Sequence, residues 1–378
     1  MKKIIKNKWI LFVILIVAFV VLDLQVKNAP LANRGIVLGI GVDRDGREYS
    51  VTAEFLSPSN GGVQNYQKNT MLLTEKGKTL DEAFEKMNKT LGIRVSLKHT
   101  VLIVLGEDIM KEGDYAPLIN LLEGNSVFDD TPIVGVRGKA QEIFNAKPPM
   151  YTTVSYRISE TLRSPDIEAG VIITNVKDFF RMITCECETA CIPLVDVIEG
   201  GASETDNDGN KVETDSIELG EIAVLKRSGL KLVLNNGESD GLSYVISNVN
   251  EGNIFIERDG DRPPFDVIIV DTVSSKKFDK KTKTYTVDVK MWVREGNSME
   301  TDITDSSVKI TESMKKAVGE TVAKEIMQCF ETCKAKQADV FDIAGVLYKS
   351  MGKKYKDTFG DNYLENINFN VSVKIIVK

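Results

Sequence analysis

Apolar positions are spread unevenly along this chain, and the strongest signal is an unbroken apolar run near its start. The run extends from Trp9 to Leu22, follows four lysines and is closed by Asp23. A basic flank before an apolar run is read by the export machinery, which keeps the lysines in the cytoplasm and carries the following residues across the membrane. As a helix the run would rise about 21 Å, less than the roughly 30 Å of a hydrocarbon core.

The residues after this run favour a retained anchor over a cleaved signal. Signal peptidase requires a pair of small residues before its cleavage site, and each candidate site lacks this pair. Lipoprotein processing requires a cysteine directly after the apolar run, whereas the first cysteine of this chain is Cys185. We therefore expect a short membrane anchor within residues 1–30, with residues 31–378 outside the cytoplasmic membrane. A cleaved signal peptide and a cytoplasmic N-terminal core helix are the alternatives. The predicted anchor residues are Trp9, Leu11, Phe12, Ile14, Leu15, Val17, Phe19, Val20 and Leu22.

Beyond the anchor, short apolar segments alternate with turn residues and amphipathic stretches. Gly35–Asp43 and Tyr49–Phe55 flank an Asp-Gly turn, which predicts a β-hairpin. A capping box that begins at Thr79 precedes apolar residues at helical spacing. Val101–Leu105 and Ile133–Val136 are short apolar runs typical of buried strands. Together these elements predict a mixed sheet with helices packed on it.

The pattern divides the chain into two folded regions. We predict an N-terminal region over residues 31–198, made of a mixed sheet (35–145) and a helical segment (147–198) in which Asn175 caps a helix. A polar, Gly-rich stretch follows, and it predicts a linker over residues 199–215.

The remaining residues, 216–378, predict a C-terminal domain in which strands precede and follow two helices. Tyr285–Val293 alternates apolar and polar positions, and the closing segment Ile367–Ile375 does the same. One apolar stripe predicts a long helix from Ser306 to Lys336, and a second predicts a helix over Val340–Lys356. The predicted fold class is therefore α+β: an N-terminal membrane anchor followed by a multi-domain ectodomain of mixed sheets with helices packed on them.

Composition narrows the range of functions. The formal net charge is −7 and the sequence has no basic stripe, so a nucleic-acid partner is not expected. The single histidine leaves little scope for acid–base or metal chemistry. The five cysteines are an odd number, which excludes a complete disulfide framework.

The cysteines could in principle supply thiolate ligands. Cys185, Cys187 and Cys191 have a spacing unlike a standard zinc knuckle. Cys329 and Cys333 fall on the apolar stripe of the long predicted helix, where we interpret them as small core residues. A disulfide among the five is an open alternative, and no metal site is predicted.

Other patterns that can carry chemistry have structural interpretations. His99 stands at a strand edge, and Gly39-x-Gly41 lacks the rest of a dinucleotide fingerprint. Residues 206–210 resemble a calcium loop only in composition. Ser306 and Ser313 begin SxxK patterns, but both lie on the amphipathic helix and lack companion motifs. The sequence therefore predicts no catalytic residue, no cofactor and no enzyme activity.

Six segments of the chain can be compared, in their order, with known families. They are Gly35–Asp43, His99–Glu107, Gly135–Phe144, Glu218–Val233, Asp339–Ile343 and Ile367–Val377. No one of them is diagnostic, but the ordered set resembles the Ger(x)C-type spore germination proteins, the C subunits of nutrient germinant receptors.

The resemblance implies a non-enzymatic, membrane-attached receptor subunit with mixed α/β domains on the outer face of the inner spore membrane. It also implies an A subunit and a transporter-like B subunit as partners, with the small-molecule nutrient involved only indirectly. Members of the family usually carry a lipidated cysteine, and here the apolar helix would take its place. The rival hypotheses are an exported cell-wall hydrolase or transferase that uses an SxxK serine, and an extracytoplasmic solute-binding protein.

Overall fold

A computed structural model gives the fold of most of the chain. It describes Ile16 and residues 34–56, 70–116, 118, 121, 127–149, 153–164, 166, 168–205, 211–257, 264–296 and 310–378. The predicted anchor over residues 1–30 lies, Ile16 apart, outside these described residues. None of the described helices is both long enough and apolar enough to cross a lipid bilayer.

The N-terminal half is built on one large sheet, which has nine strands in the described part of the chain. The strands are β1 (Arg34–Asp45), β2 (Glu48–Leu56), β3 (Thr70–Gly77), β4 (Arg94–Ser96), β5 (Leu102–Leu105), β6 (Ile133–Gly135), β7 (Thr189–Thr205), β8 (Lys211–Lys226) and β9 (Gly229–Leu234). Their order across the sheet is β3-β2-β1-β5-β6-β7-β8-β9, and β4 pairs with the start of β1.

The centre of this sheet is parallel and its flanks are antiparallel. Val42 pairs with Leu105, Leu105 with Gly135 and Gly135 with Leu194, so β1, β5, β6 and β7 run in the same direction. Their N-terminal ends therefore lie at one edge of the sheet. The antiparallel flanks are β1-β2-β3 and β7-β8-β9. Gly46 turns β1 into β2 with a φ of 62°, which glycine adopts without steric cost.

Helices cover both faces of the large sheet. They are α1 (Leu80–Leu91), α2 (Glu107–Glu112), α3 (Ala140–Ile143), α4 (Val154–Leu162) and α5 (Val176–Thr184). Helices α1, α2 and α5 share a core that contains Phe84, Met110 and Phe179. Helices α3 and α4 share a second core, which contains Phe144 and Ile158. Alternate residues of β5 enter the two cores, because successive side chains of a strand point to opposite faces.

The C-terminal half combines a four-stranded sheet with helices. Its strands are β10 (Asn253–Ile256), β11 (Phe265–Asp279), β12 (Thr284–Glu295) and β13 (Asn368–Val377), in that spatial order. Its helices are α6 (Asn236–Ile246), α7 (Glu312–Lys334), α8 (Ile343–Met351), α9 (Lys354–Phe359) and α10 (Tyr363–Asn366). Helix α7 buries the predicted stripe, which includes Val318, Val322 and Ile326, in the core of this half.

Strand β8 belongs to the cores of both halves. Ala223 and Leu225 lie in the core under α1, α2 and α5, whereas Ile222 and Val224 lie in the core of the C-terminal half. All four side chains are fully buried. Separating the halves would expose Ile222 and Val224. Fully burying an aliphatic side chain of this size stabilises a protein by about 1.5–3 kcal/mol. The two halves are therefore joined by a shared strand.

The predicted fold class of mixed sheets with packed helices is confirmed for the described residues. The hairpin formed by β1 and β2 is confirmed, as are the helix caps at Thr79 and Asn175. The long C-terminal helix is confirmed over Glu312–Lys334, after its cap Thr311, while residues 306–309 of the predicted helix lie outside the described part. The closing strand is confirmed over Asn368–Val377.

The linker predicted over residues 199–215 differs from the structure. Residues 199–205 belong to β7 and residues 211–215 to β8, and the two strands pair as far as Thr205 and Lys211. The polar, Gly-rich composition arises because this end of the hairpin extends beyond the rest of the sheet and is largely exposed. Residues 206–210 lie outside the described part.

Two predicted helical segments are also interrupted. In the segment 147–198, α4 and α5 are helical, but β7 begins at Thr189. The helix predicted over Val340–Lys356 is divided into α8 and α9 at Gly352, whose φ of 61° ends the first helix.

Candidate functional site

Buried carboxyl groups are the first places to look for chemistry in a fold with one histidine. Asp43, Glu54 and Asp339 are each at most 3% exposed. Each lies opposite the N-terminus of a helix, where backbone N–H groups have no partner within the helix. Negative charge is stabilised at this end of a helix by the helix dipole.

Asp43 connects the end of β1 to α3. Its Oδ1 accepts a hydrogen bond from the backbone N–H of Ala140 at 2.7 Å, and its Oδ2 accepts one from Gln141 at 3.2 Å. Burial raises the pKa of the Asp43 carboxyl, while these two amides and Lys139 oppose the rise. The residue closes the predicted segment Gly35–Asp43 and acts as an anchor for a helix that follows about a hundred residues later.

Glu54 performs the same task for α4. Its Oε2 accepts hydrogen bonds from the backbone N–H of Ser155, at 3.2 Å, and from the Ser155 hydroxyl. Burial raises the pKa of Glu54, and the bonds from Ser155 oppose the rise. Gly39 makes this approach possible, because a Cβ at that position would collide with Ser155 Oγ and lie 2.8 Å from the Phe144 ring.

Asp339 ties three elements of the C-terminal half together. Its Oδ1 accepts from the N–H of Ile343 at 2.9 Å, and its Oδ2 accepts from the N–H of Ala344 at 2.7 Å and from the Tyr363 hydroxyl at 3.0 Å. Its own N–H donates to Thr189 Oγ1 of β7 at 3.2 Å. Burial raises the pKa of Asp339, and the three donors oppose the rise. The residue therefore fixes α8 and α10 against the sheet of the other half.

A second type of carboxyl site lies where α6 crosses α7. A Cβ added to Gly241 would be 2.5 Å from the carbonyl of Glu325, so the helices are in close contact there. Burial and the charge of Asp240 raise the pKa of Glu325 to about 7, and Lys324 opposes this. Burial raises the pKa of Asp240 to about 6. Within the described residues, Glu325 Oε2 is buried and accepts no hydrogen bond.

The cysteines divide into a turn pair and a core group. Cys185 and Cys187 form a disulfide in the turn that precedes β7. Cys191, Cys329 and Cys333 are free and buried. The interpretation of Cys329 and Cys333 as core residues is confirmed, and burial raises the pKa of Cys191 far above neutrality, so its thiol is protonated.

Metal ligation finds no support in the described part of the chain, where no group of three or more His, Cys, Asp or Glu side chains is arranged around a common point. His99 is exposed in the turn before β5. The composition of residues 206–210, which resembles a calcium loop, lies outside the described part.

A polar cleft of ≈ 510 Å³ lies between the two halves. Glu186, in the turn before β7, faces α9: its Oε2 is 3.0 Å from Lys356 Nζ and accepts from the Tyr355 hydroxyl at 3.2 Å. Across the same cleft, Lys226 Nζ donates to the carbonyl of Gln337 at 2.9 Å. These contacts across the cleft fasten the two halves together.

The SxxK serines are not arranged for acyl transfer in the described residues. Ser313 lies in the first turn of α7, where its hydroxyl is 2.9 Å from that of Thr311, the capping residue. Lys316 points to Glu320, with 3.7 Å between Nζ and Oε1. Ser306 lies outside the described residues. The structure thus gives Ser313 a place in a helix cap and gives Lys316 a carboxylate partner.

Sequence reasoning did not identify the buried carboxyl groups. Asp43 carries a local signal, since it closes an apolar strand, and Asp339 opens the segment Asp339–Ile343, whose last amide it binds. The partners of Glu54 and Asp43 are about 100 residues away in the sequence, so their pairing depends on the tertiary fold. Asp240 and Glu325 are on different helices, which come into close contact at Gly241.

Comparison with known proteins identifies the family. The model of the spore germination protein N-terminal domain matches residues 27–197, and the model of the spore germination B3/GerAC-like C-terminal domain matches residues 220–378. Spore germination protein KC of Bacillus subtilis (strain 168) is 22% identical over 393 residues, covering 98% of this chain and 96% of that protein. The solved GerBC structure shares the fold with a TM-score of 0.50 at 14% identity, over 90% of this chain and 96% of that one. The chain therefore belongs to the Ger(x)C family of spore germination proteins, the family of germinant receptor C subunits.

Proposed function

We propose that this chain is a non-enzymatic, membrane-attached subunit of a spore nutrient germinant receptor. It acts by protein–protein contacts with A and B subunits on the outer face of the inner spore membrane, and it meets the nutrient only indirectly. The apolar run from Trp9 to Leu22 holds it to the membrane, and residues 31–378 are extracytoplasmic. The two folded regions act as one body because they share β8.

The observation that carries the proposal is the use of the buried polar groups. Asp43, Glu54 and Asp339 are committed to helix N-termini, and Glu186 and Lys356 are committed to each other across the boundary between the halves. A general acid or base needs a carboxyl group that can reach a substrate. The carboxyl groups of Asp43, Glu54 and Asp339 already accept two or three hydrogen bonds from the protein. Such an arrangement favours a rigid body that transmits contacts.

The two rival functions receive less support. An acyl transferase would need a base beside Ser313, where the described residues place the Thr311 hydroxyl, while Lys316 faces Glu320. A solute-binding protein would need unpaired polar groups in its cleft, whereas Glu186, Lys356 and Lys226 already bind other groups of the protein.

Nutrient-triggered germination tests the proposal. Spores that lack the gene are complemented with the wild type, with Ser306→Ala/Ser313→Ala, or with Leu15→Arg/Val17→Arg, which places charges in the apolar run. We expect the serine variant to germinate at the wild-type rate and the charged-anchor variant to lose the nutrient response. Both should keep the response to a trigger that bypasses nutrient receptors, and immunoblotting confirms equal protein levels.

Two results would contradict the proposal. Loss of the nutrient response in the serine variant at normal protein level would indicate acyl-transfer chemistry. An undiminished response of the deletion strain to every nutrient that its receptors recognise would show that the chain is not a receptor subunit.

A further inference from the structure

One end of the C-terminal half carries a dense group of lysines, which we call the lysine pole. It comprises residues 276–283, at the turn between β11 and β12, and residues 349–357, at the junction of α8 and α9. These two segments contain nine lysines and two aspartates, in a chain whose net charge is −7. Its exposed lysines are Lys277, Lys280, Lys281, Lys283, Lys349, Lys353, Lys354 and Lys356.

Aromatic contacts hold the two segments of the pole side by side. Phe278 packs edge-on against Phe359 with their ring centroids 5.9 Å apart, and Lys283 Nζ lies 5.5 Å from the centroid of the Phe359 ring. Lys277 pairs with Asp288, and Lys356 pairs with Glu186. Within the described residues, the remaining exposed lysines form no ion pair shorter than 4.0 Å, so their charges face solvent.

The lysine pole lies at the end of the molecule from which the chain continues towards its N-terminus. Lys356 contacts Glu186 in the turn before β7, at the edge that holds the N-terminal ends of the parallel strands. Arg34 begins β1 at the same edge. Strands β1 and β7 are three places apart in the sheet, a lateral distance of about 14 Å.

The opposite end of the molecule is acidic. Beyond Leu194 the described part of β7 pairs with β8 alone, and the two strands continue as a ribbon. The described residues of this ribbon, 196–205 and 211–218, contain six carboxylate residues and one lysine, Lys211. The molecule is therefore polarised. Positive charge lies at the end where β1 begins, and negative charge lies at the end where the C-terminal part of β7 pairs with β8.

We propose that the lysine pole binds anionic lipid headgroups and thereby orients the ectodomain on the membrane, an inference that rests on the proposed membrane attachment. Clustered lysines are attracted to an anionic lipid surface within about one Debye length, roughly 8 Å at physiological salt. The eleven residues from Asp23 to Asn33 span at most about 36–40 Å when extended, which lets the pole reach the surface. The acidic ribbon then points away from the lipid, which repels it.

The test uses the full chain reconstituted into vesicles of neutral phosphatidylcholine, or of phosphatidylcholine with 30 mol% phosphatidylglycerol, with mass spectrometry after brief amine labelling. Flotation with each vesicle type first measures attachment. We expect Lys280, Lys281, Lys353 and Lys354 to be labelled about fivefold more slowly on anionic than on neutral vesicles, and 0.5 M salt to remove the difference. The ribbon-end lysines Lys147 and Lys211 should change by less than twofold.

Charge reversal provides the matched comparison. Lys280→Glu/Lys281→Glu should restore fast labelling of Lys353 and Lys354 on anionic vesicles, whereas Lys147→Glu/Lys211→Glu should leave their protection unchanged. Both variants alter exposed side chains, and circular dichroism verifies that each is folded.

The outcomes separate this inference from the proposed function. Equal labelling on both vesicle types, with normal flotation, would overturn the lipid contact and leave the attachment standing. Protection that arises only when receptor subunits are added to neutral vesicles would also overturn it and would assign the pole to a protein partner. Flotation with anionic but not with neutral vesicles would support the pole and contradict the apolar anchor.

Discussion

Two regions of this molecule bury carboxyl groups in opposite ways. The helix anchors at Asp43, Glu54 and Asp339 place each carboxylate where a helix N-terminus supplies donors. At the α6–α7 crossing, Glu325 and Asp240 lie close together, and an oxygen of Glu325 is buried without a donor in the described residues. Buried carboxyl groups therefore stabilise the first region through hydrogen bonds, whereas in the second region a buried oxygen that lacks a donor among the described residues lowers the stability.

The difference between the two regions shows that the pKa of a buried carboxyl group in this fold depends on its hydrogen-bond donors and on neighbouring charges. Burial alone raises the pKa of an acid, and hydrogen bonds to its charged form lower it again. At Asp339 three donors oppose the effect of burial, whereas at Glu325 the neighbouring Asp240 adds to it. In the first arrangement hydrogen bonds hold helices in place and oppose the rise in pKa, whereas in the second the charge of Asp240 adds to the rise in the pKa of Glu325.

Removing an anchor should have the largest effect. Asp339→Ala leaves the N–H groups of Ile343 and Ala344 and the Tyr363 hydroxyl without their acceptor. Each unsatisfied buried donor costs about 1–3 kcal/mol, and the costs of neighbouring donors do not simply add. We therefore expect the free energy of unfolding to fall by about 3 kcal/mol or more. Urea denaturation measures it.

Asp357, an exposed aspartate on α9, supplies the control for this prediction. Asp357→Ala should change stability by less than about 0.5 kcal/mol. If Asp339→Ala were as mild as its control, the role of Asp339 as a helix anchor would be wrong.

A smaller effect is expected from separating the helices of the second region. In Gly241→Ala the new methyl group would lie 2.5 Å from the carbonyl of Glu325, so α6 and α7 must move apart. Overpacking of this kind costs about 2 kcal/mol. Thermal or urea unfolding measures the loss.

Gly319 of α7 is the matched glycine. A Cβ there would meet Ile375 at an ordinary 3.7 Å, and alanine is the better helix former. Gly319→Ala should therefore stabilise the protein by about 0.5–1 kcal/mol. Equal losses from the two substitutions would show that the crossing at Gly241 is not specially close.

The smallest effect is a gain, and it depends on pH. The folded-state pKa of Glu325 is about 7, above its ordinary 4.5, so the protonated form is favoured in the folded protein. The contribution of Glu325 to the free energy of unfolding is therefore complete below pH 4.5, and it is lost as the pH rises through 7. Glu325→Gln cannot ionise, and we expect it to be about 1–2 kcal/mol more stable than the wild type at pH 8 and similar at pH 4.5.

Unfolding of both proteins across this pH range checks the prediction, with Glu320→Gln, an exposed position on the same helix, as the control. If the stability of the Glu325→Gln variant depended on pH in the same way as that of the wild type, the assignment of the raised pKa to Glu325 would be wrong.

Much of the fold could be predicted from the sequence because its elements are amphipathic or capped. The stripe of α7 and the alternation of β13 each have one buried and one exposed face, which periodicity detects. Helix α6 was missed because it is buried around most of its surface, including Ser239, Gly241 and Ser243, so it has no polar face to set a period. The composition of the β7–β8 ribbon predicts a linker for the opposite reason, since much of the ribbon is exposed on both faces.

The candidate site could be predicted much less well. A cap such as Thr79 depends on neighbours within a turn, whereas Asp43 binds an amide 97 residues away. The lysine pole is also not visible as a unit in the sequence, because its two segments are more than sixty residues apart and are brought together by the fold, with Phe278 against Phe359. Such pairings follow from the topology of the sheets.

Affinity purification from spore membranes tests the central claim most directly. The full chain carries a C-terminal tag, is extracted with a mild detergent, and its partners are quantified by mass spectrometry against the Leu15→Arg/Val17→Arg variant. The account predicts that the A and B subunits of one receptor are recovered with the wild type and depleted at least tenfold with the variant. Recovery of the wild-type chain alone, in the soluble fraction, would contradict the account.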